Sequence, residues 1–299
     1  MSTSVAIFGL GSMGYGMAQS CLRAGQEVYG FDVRPDPVAR LQAEGGLAGN
    51  LADVAPTLDT VMVVVLNAAQ LEAVLFAENG VVEHLREGAV VLGCATVPPE
   101  FARDMEARCN AVGVHYLDAP ISGGAAKAAL GQLSIMASGT AEAFDAAKPC
   151  LDATSQTLFR LGNAAGAGSA MKAVNQLLAG VHIATMAEAM TFGMTQGIKP
   201  DTFVDVITQC AGNSWMLENR APHVVEGDFT PLSQINIWPK DLGIVLETAK
   251  TAGFNAPITE TALARYMEAV EMGLGGEDDA AVAKVYAKEA GLTLPGENQ

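Results

Sequence analysis

Basic residues are scarce in this sequence. Its 17 lysines and arginines face 33 aspartates and glutamates, which gives a formal net charge of -16 at pH 7. A surface of that sign repels the phosphate backbone of nucleic acids and an anionic membrane surface alike. We therefore expect neither nucleic acid nor membrane as a partner.

Charged residues of either sign are few as well, at 17% of 299 residues, whereas half of the residues are apolar. This composition excludes a disordered chain and fits a compact protein with room for two domains. The sequence also lacks an uninterrupted apolar run of about 20 residues and a basic segment ahead of a hydrophobic N-terminal run. We therefore expect no transmembrane helix, no secretory signal and a cytoplasmic location.

Cysteine and histidine are sparse and scattered. The five cysteines form no C-x-x-C pair, and the four histidines show no H-x-x-x-H spacing and no neighbouring set of carboxylates. Isolated cysteines act as small apolar side chains, and zinc needs clustered ligands. We expect reduced structural cysteines and no metal site.

Short β-branched runs alternate with helical patterns in the first half of the chain. Strands are predicted at 5–8, 27–32, 60–66, 89–94, 114–118, 134–138 and 157–161, and helices at 13–24, 37–44, 71–76, 99–112 and 141–153. This alternation predicts a doubly wound, mostly parallel sheet.

From residue 166 onward, helical patterns separated by Gly, Pro and Asn replace the β-branched runs. Helices are predicted at 169–196, 200–209, 215–225, 232–251, 257–271 and 280–289. The small residues of 162–166 suit a linker. We predict an α/β fold: a Rossmann-type doubly wound sheet domain at 1–163, followed by an all-α substrate and oligomerisation domain at 164–299, joined by a long interdomain helix.

Three glycines, Gly9, Gly11 and Gly14, lie between the first predicted strand and the first predicted helix. In that context they fit the dinucleotide fingerprint, with the pyrophosphate at the helix N-terminus. Asp32 ends the second predicted strand, where a carboxylate binds the ribose 2'-hydroxyl and favours NAD. Arg34 is the residue type that NADP would favour, so strict NAD use against dual use stays open. We expect NAD.

Lys172 interrupts a long apolar stretch near its start. A helix that is apolar on all sides is normally buried, and a buried ammonium must find partners or shift its pKa. A lysine with its ordinary pKa of ~10.4 is already protonated at neutral pH, so it can accept a proton there only if that pKa is lowered. Lys172 is therefore either a surface residue or a proton-transfer group. Glu277, Asp278 and Asp279 are predicted to be an acidic helix N-terminus instead of a site.

Four motifs together make the sequence resemble the β-hydroxyacid dehydrogenases, the family of 3-hydroxyisobutyrate dehydrogenase. They are FGLGSMG at 8–14, DAPISGG at 118–124, GSAMKAVNQ at 168–176 and KDL at 240–242. The resemblance covers essentially the whole chain. It implies a dehydrogenase that acts on a CH-OH group with NAD, as a homodimer or homotetramer.

The resemblance also implies roles for individual residues. Lys172 is the expected general acid and base. Cofactor contacts are expected from Gly9, Leu10, Gly11, Ser12, Met13, Gly14, Asp32, Leu66, Asn67, Thr96 and Lys240. Substrate contacts are expected from Ser122, Gly123, Gly124, Asn175, Lys240, Asn213, Ser214 and Trp215. Ala95 stands where the family has serine, and Asn67 where it has proline.

Segments 175–183, 211–216 and 218–220 are similar to the L-threonate dehydrogenase branch of the family. We therefore expect NAD-dependent oxidation of a small hydroxy acid, with L-threonate converted to 2-oxotetronate as the first candidate. Tartronate semialdehyde reduction and 3-hydroxyisobutyrate oxidation are the alternatives within the family. A non-catalytic NAD(P)-binding module is the alternative outside it.

Overall fold

The computed structural model describes residues 2–297. By their internal contacts the residues form two compact units, which divide between Lys172 and Ala173. The first unit is built of strands and helices, and the second of helices. The predicted order, an α/β unit followed by a helical one, is confirmed.

Five parallel strands form the main sheet of the first unit, in the order β2-β1-β3-β4-β5. The strands are β1 (Ser4–Phe8), β2 (Glu27–Phe31), β3 (Thr60–Val63), β4 (Val90–Gly93) and β5 (His115–Asp118), and the helices between them are α1 (Ser12–Arg23), α2 (Pro35–Ala43), α3 (Leu51–Val54), α4 (Ala68–Phe76) and α5 (Pro99–Asn110). Because β1 pairs with β2 on one side and β3 on the other, the strand order reverses beside β1. Ligands of such sheets bind at the carboxyl edge next to that reversal.

The first strand shows why both faces of the sheet are covered. Val5 and Ile7 pack into one cluster of buried side chains, whereas Ala6 and Phe8 pack into another. Successive side chains of a strand point to opposite faces, so an unbroken apolar run fits a strand buried on both sides.

A second, three-stranded sheet follows, where the sequence predicted two more strands of the main sheet. Its strands are β6 (Ile121–Ser122), β7 (Leu133–Ala137) and β8 (Ser155–Arg160), and its helices are α6 (Gly124–Leu130) and α7 (Ala141–Thr154). β6 pairs with β7 antiparallel, and β7 with β8 parallel. β6 begins only three residues after β5, which is too few for the crossover that a parallel neighbour requires. The expectation of a single sheet was therefore wrong.

Helices make up the rest of the described chain. They are α8 (Ala167–Thr195), which spans the division between the units, then α9 (Pro200–Ile207), α10 (Trp215–Glu226), α11 (Ile237–Thr251), α12 (Pro257–Glu271) and α13 (Ala283–Ala290). Prolines in the first turn of α9 and α12 suit positions where no helical N–H bond is needed. The core of the second unit includes Ile183, Met186 and Met190 of α8.

By length and composition alone, α8 is long and apolar enough to cross a membrane, and it is the one such helix among residues 2–297. Of the most apolar 18-residue stretch of α8, 44% is buried inside the fold. Core helices of globular proteins have the same length and apolarity, and the buried methionines of α8 place it among them.

Backbone contacts with residues 275–279 explain why α11 starts at Ile237 and not at the predicted residue 232. Asp278 accepts hydrogen bonds from the N–H groups of Leu232 (2.9 Å) and Ser233 (3.4 Å), and the N–H of Asp279 donates to the Ser233 carbonyl (2.8 Å). The Ser233 carbonyl therefore cannot accept a helical hydrogen bond, and the N–H of Asn236, which a helix from residue 232 would bond to Leu232, donates to the Gly275 carbonyl instead (3.0 Å). Asp278 caps a 3-10 turn at Asp279–Val282, and both carboxylates are fully buried.

All five cysteines lie within the described residues and none forms a disulfide. Cys21, Cys94, Cys109 and Cys150 are buried, and Cys210 is exposed. Burial raises the pKa of the Cys94 and Cys109 thiols to about 12, so both stay protonated at neutral pH.

Candidate active site

The glycine-rich loop joins the end of β1 to the start of α1. A Cβ on Gly14 would overlap the carbonyl oxygen of Gly9, so no larger residue fits there without a backbone shift. A Cβ on Gly11, by contrast, would meet nothing within 4 Å. Ser12 and Met13 form the first turn of α1. The loop thus packs tightly on itself and leaves open space before a helix N-terminus, as a pyrophosphate requires.

Asp32 follows β2 and is tied to this loop. Its carboxylate accepts hydrogen bonds from the N–H groups of Leu10 (2.7 Å) and Arg34 (2.8 Å), and the Arg34 guanidinium lies 3.5 Å away. Burial raises the pKa of Asp32, but these N–H donors and the guanidinium outweigh it, and the pKa lies below its usual value. Asp32 is therefore ionised at neutral pH and beside the loop, as the NAD ribose requires. The guanidinium of Arg34 is turned toward this carboxylate.

Three further predicted cofactor contacts follow the strands β3 and β4. Asn67 caps α4 by accepting a hydrogen bond from the N–H of Gln70 (2.9 Å), and the N–H of Leu66 donates to the side chain of Gln70 (2.9 Å). Leu66 is exposed and Thr96 is half-buried. All three lie beyond the carboxyl ends of their strands, at the edge that also carries the glycine loop.

Ser122, Gly123 and Gly124 form the connection between β6 and α6. Ser122 is paired with Ser134 of β7, and Gly124 is the first residue of α6. Gly123 and Gly124 have φ angles of 136° and 79°, a conformation that L side chains rarely adopt. The sequence missed β6 and α6 because both are short.

Lys172 lies in the second turn of α8 and is 9% exposed. Its ammonium donates a hydrogen bond to the carbonyl oxygen of Ile121 at 2.9 Å. Because Ile121 precedes Ser122 on β6, the structure brings together two of the residues to which the sequence assigned a role.

Asp118 belongs to the motif at 118–124, but no role of its own was assigned to it from the sequence. It ends β5, is fully buried, and accepts hydrogen bonds from Ser138, Gly166 and Ser169. Burial raises its pKa above the usual value even though these hydrogen bonds oppose the shift. The signal that could have found it was an acid at the end of a buried strand, two residues before a proline.

In the second unit, four polar side chains form a connected chain. Asn175 donates to Gln176 (2.9 Å), Gln176 donates to Asp241 (2.5 Å), and Lys240 forms an ion pair with the same carboxylate. Asp241 is 3% exposed. The charge of Lys240 is thus offset by its neighbour, a partner that the sequence reasoning did not consider.

Asn213, Ser214 and Trp215 lie at the start of α10. Ser214 caps the helix by accepting a hydrogen bond from the N–H of Leu217 (3.0 Å), and Asn213 donates to Glu218 (2.5 Å). Trp215 is 53% exposed. These three predicted substrate contacts are close to one another, and two of their side chains already have local partners.

No group of three or more His, Cys, Asp and Glu side chains in the described part of the chain could hold a metal ion.

Comparison with known proteins adds to this geometry. Residues 4–162 match the family model of the NAD binding domain of 6-phosphogluconate dehydrogenase, and residues 166–286 match the model described as NAD-binding of NADP-dependent 3-hydroxyisobutyrate dehydrogenase. The L-threonate dehydrogenase of Cupriavidus necator is 48% identical over 99% of both chains. The chain belongs to the 3-hydroxyisobutyrate dehydrogenase-like family.

Two further relatives agree with this family assignment. The L-threonate dehydrogenase of Haemophilus influenzae is 47% identical over 98% of this chain and 97% of its own. A crystal structure described as 3-hydroxyisobutyrate dehydrogenase from Salmonella typhimurium superposes with a TM-score of 0.90 at 46% identity, covering 95% of this chain and 100% of that one. This hydroxyacid dehydrogenase therefore oxidises a small hydroxy acid at a CH-OH group, with NAD as its cofactor.

Proposed function

We propose that this dehydrogenase oxidises L-threonate to 2-oxotetronate. The observation that carries the proposal is the identity of 47% to 48%, over nearly the full length, with relatives named L-threonate dehydrogenase. The similar crystal structure bears the name of 3-hydroxyisobutyrate dehydrogenase, which makes that acid the second candidate.

Lys172 is the proposed general base. Oxidation of a hydroxy acid removes a proton from the hydroxyl group and a hydride from the carbon. NAD supplies the hydride acceptor when it is bound. The neutral amine of Lys172 takes the hydroxyl proton at Nζ, and in the reverse direction its ammonium returns a proton to the carbonyl oxygen. The hydrogen bond to the Ile121 carbonyl holds Nζ at a fixed place beside β6.

The substrate carboxylate is proposed to bind at the start of α6. The hydroxyl of Ser122 and the N–H groups of Gly123 and Gly124 can donate to an anion, and backbone in this conformation forms small anion-binding concavities. In the second unit, the proposed substrate contacts are Asn175, Lys240, Asn213, Ser214 and Trp215, whose polar groups suit the hydroxyls of a sugar acid.

NAD is proposed to bind along the carboxyl edge of the main sheet. The loop from Gly9 to Gly14 holds the pyrophosphate, Asp32 binds the ribose, and Leu66, Asn67 and Thr96 contact the rest. Lys240 is a further proposed cofactor contact. Since Asp32 is ionised and would repel a 2'-phosphate, we expect NADP to be a poor substitute.

A substrate screen tests the proposal. L-threonate, 3-hydroxyisobutyrate and other C3 to C5 hydroxy acids are offered with NAD and with NADP, and tartronate semialdehyde is offered with NADH. We expect NADH formation from L-threonate to have the highest kcat/KM. No turnover of L-threonate together with rapid reduction of tartronate semialdehyde would exclude it.

The role of Lys172 has its own test. We expect Lys172→Ala to lower kcat by about 10²- to 10⁴-fold, the usual contribution of a positioned acid or base, with the Kd for NAD unchanged. Lys148→Ala is the matched control, because Lys148 is exposed and pairs with Asp152 on α7. A kcat of Lys172→Ala within about tenfold of the wild type would rule out the proposed mechanism.

We also propose a cytoplasmic homodimer or homotetramer. Val174, Leu178 and Phe192 are apolar side chains of α8 that are at least half exposed, which supports association. Light scattering coupled to size exclusion measures the mass, and a monomer at micromolar concentration would contradict this proposal.

A further inference from the structure

The first turn of α8 is held by a buried carboxylate. Asp118 Oδ2 accepts hydrogen bonds from the N–H of Gly166 (2.9 Å), the N–H of Ser169 (2.8 Å) and the hydroxyl of Ser138 (3.2 Å), while Oδ1 accepts from the Ser169 hydroxyl (2.6 Å). The first N–H groups of a helix have no partner within it, and an anion there is stabilised by the helix dipole. Asp118 supplies both the acceptor and the charge.

Ser138 completes the attachment. Its hydroxyl accepts a hydrogen bond from the N–H of Gly168 (2.9 Å) and donates its own proton to Asp118. Ser138 and Asp118 are both fully buried, and their backbones pair with each other through two hydrogen bonds. The acceptors for the helix thus belong to the ends of two strands, β5 and β7, and are not mobile loop side chains.

Gly168 shows how closely the helix approaches these strand ends. A Cβ on Gly168 would overlap the carbonyl oxygen of Met136 and would lie 2.8 Å from the carbonyl oxygen of Asp118. Both contacts are with backbone atoms, which cannot move aside easily. The first turn of α8 therefore packs against the ends of β5 and β7 in one position, with no room to shift toward them.

Lys172 follows Ser169 by three residues, about one helical turn, and its ammonium binds the Ile121 carbonyl at 2.9 Å. Ile121 in turn follows Asp118 by three residues. The segment 118–121 therefore holds the helix at two points, by the Asp118 carboxylate at residues 166 and 169 and by the Ile121 carbonyl at Lys172.

We propose that Asp118 is a positioning residue for Lys172: by binding the first turn of α8 it fixes the height and rotation of the helix, and so the place of the Lys172 amine beside Ser122. The inference rests on the proposed role of Lys172 in proton transfer. Asp118 itself does not contact the reacting atoms.

The central test compares two variants with L-threonate and NAD. In Asp118→Ala the three donors to Oδ2 lose their acceptor, and we expect kcat to fall about 10- to 100-fold, since a displacement near 1 Å at a catalytic group costs about that much. The KM for NAD should stay within about threefold. Asp118→Asn can keep an oxygen at the Oδ2 position and donate its amide to the Ser169 hydroxyl. We expect it to restore kcat to within about fivefold of the wild type.

A matched control separates positioning from loss of stability. Thr140 caps α7 by accepting a hydrogen bond from the N–H of Ala143 (3.2 Å), so Thr140→Ala removes a helix cap whose hydrogen bond lies within α7. We expect Thr140→Ala to lower the melting temperature and to leave kcat unchanged. A wild-type kcat in Asp118→Ala, an equal loss of kcat in Thr140→Ala, or an Asp118→Asn variant as slow as Asp118→Ala would each overturn the proposal.

Should Asp118→Ala fail to fold, Ser138→Ala takes its place. It removes the acceptor of the Gly168 N–H and one donor to the Asp118 carboxylate, and we expect kcat to fall about two- to tenfold with the KM for NAD unchanged. A wild-type kcat there overturns the proposal. Lys172→Ala is assayed beside these variants to distinguish the proton-transfer role of Lys172 from the positioning role of Asp118. A kcat of Lys172→Ala within about tenfold of the wild type refutes the proposed proton-transfer role of Lys172. A loss of at least about 100-fold in Lys172→Ala beside a fully active Asp118→Ala refutes only the positioning role. If L-threonate is not the substrate, the acid that the screen identifies is used.

Discussion

The substitution Arg220→Met removes the guanidinium that faces two buried carboxylates in the second unit. Arg220 lies 2.5 Å from Asp279 and 3.9 Å from Asp278, and both carboxylates are fully buried. The imidazole Nδ1 of His223 lies 3.7 Å from the Asp278 carboxylate. The indole of Trp238 donates to Asp279 at 3.0 Å.

The loss of stability in Arg220→Met follows from the buried carboxylates that remain without the guanidinium. Removing one partner of a buried ion pair costs about 3 to 5 kcal/mol, because the remaining charge stays buried without compensation. We expect the free energy of unfolding of the second unit to fall by that amount at pH 8. Methionine keeps the length and the apolar stem of the side chain, so lost packing contributes little.

The stability lost in Arg220→Met should increase with pH. Burial raises the pKa of Asp279 from its usual 3.8 to about 6 even though the charge of Arg220 lowers it, so without Arg220 this pKa rises further. The folded protein thus binds the Asp279 proton more tightly than the unfolded chain does. This adds stability that is fully present below pH 4 and is lost as the pH rises through the folded-state pKa of about 6. Arg220 stabilises only the ionised form. The deficit of Arg220→Met should therefore be small at pH 5 and full at pH 8.

Urea unfolding followed by tryptophan fluorescence measures this, because both tryptophans, Trp215 and Trp238, lie in the second unit. The control is Arg265→Met, since Arg265 pairs with Glu268 and Glu289 on the surface of the same unit and should lose less than about 1 kcal/mol. Equal losses in the two variants, or a deficit for Arg220→Met that grows toward pH 5, would refute the reasoning.

Two further substitutions test other parts of the structure. Tyr266 is fully buried and its hydroxyl donates to the Gly180 carbonyl at 2.8 Å, so Tyr266→Phe should lower the free energy of unfolding by about 1 kcal/mol in the same urea experiment; no change would show that the hydrogen bond contributes nothing. Gly14→Ala places a methyl group on the Gly9 carbonyl, so the Kd for NAD measured by calorimetry should rise at least tenfold, and wild-type affinity would contradict the close packing of the loop.

Much of the fold could be predicted from local patterns. The helix at 257–271 has the predicted ends, and the five main strands lie within about three residues of their predicted ranges. These elements have strong periodicity and clear turn residues at their ends. The start of α11 could not be found in this way, because the N–H of Asp279, 46 residues after Ser233, donates to the Ser233 carbonyl, which a helix from residue 232 would need.

The candidate site divides in a similar manner. The resemblance to the family's motifs was enough to name Lys172 and Ser122, and Lys172 binds the carbonyl of Ile121, the residue before Ser122. The spacing could not reveal Asp118 as the partner of α8, or Asp241 as the partner of Lys240. Both are buried carboxylates whose partners are set by tertiary contacts, to which sequence periodicity is blind.

The exposed thiol of Cys210 offers a practical route to the solution behaviour of this enzyme. The other four cysteines are buried, so a maleimide fluorophore should label this position alone in the folded wild-type protein. Cys210 lies three residues before Asn213, at the start of the turn that leads into α10. Because Asn213 is a proposed substrate contact, a change in the fluorescence of this label on addition of L-threonate would test that proposal without engineering a single cysteine.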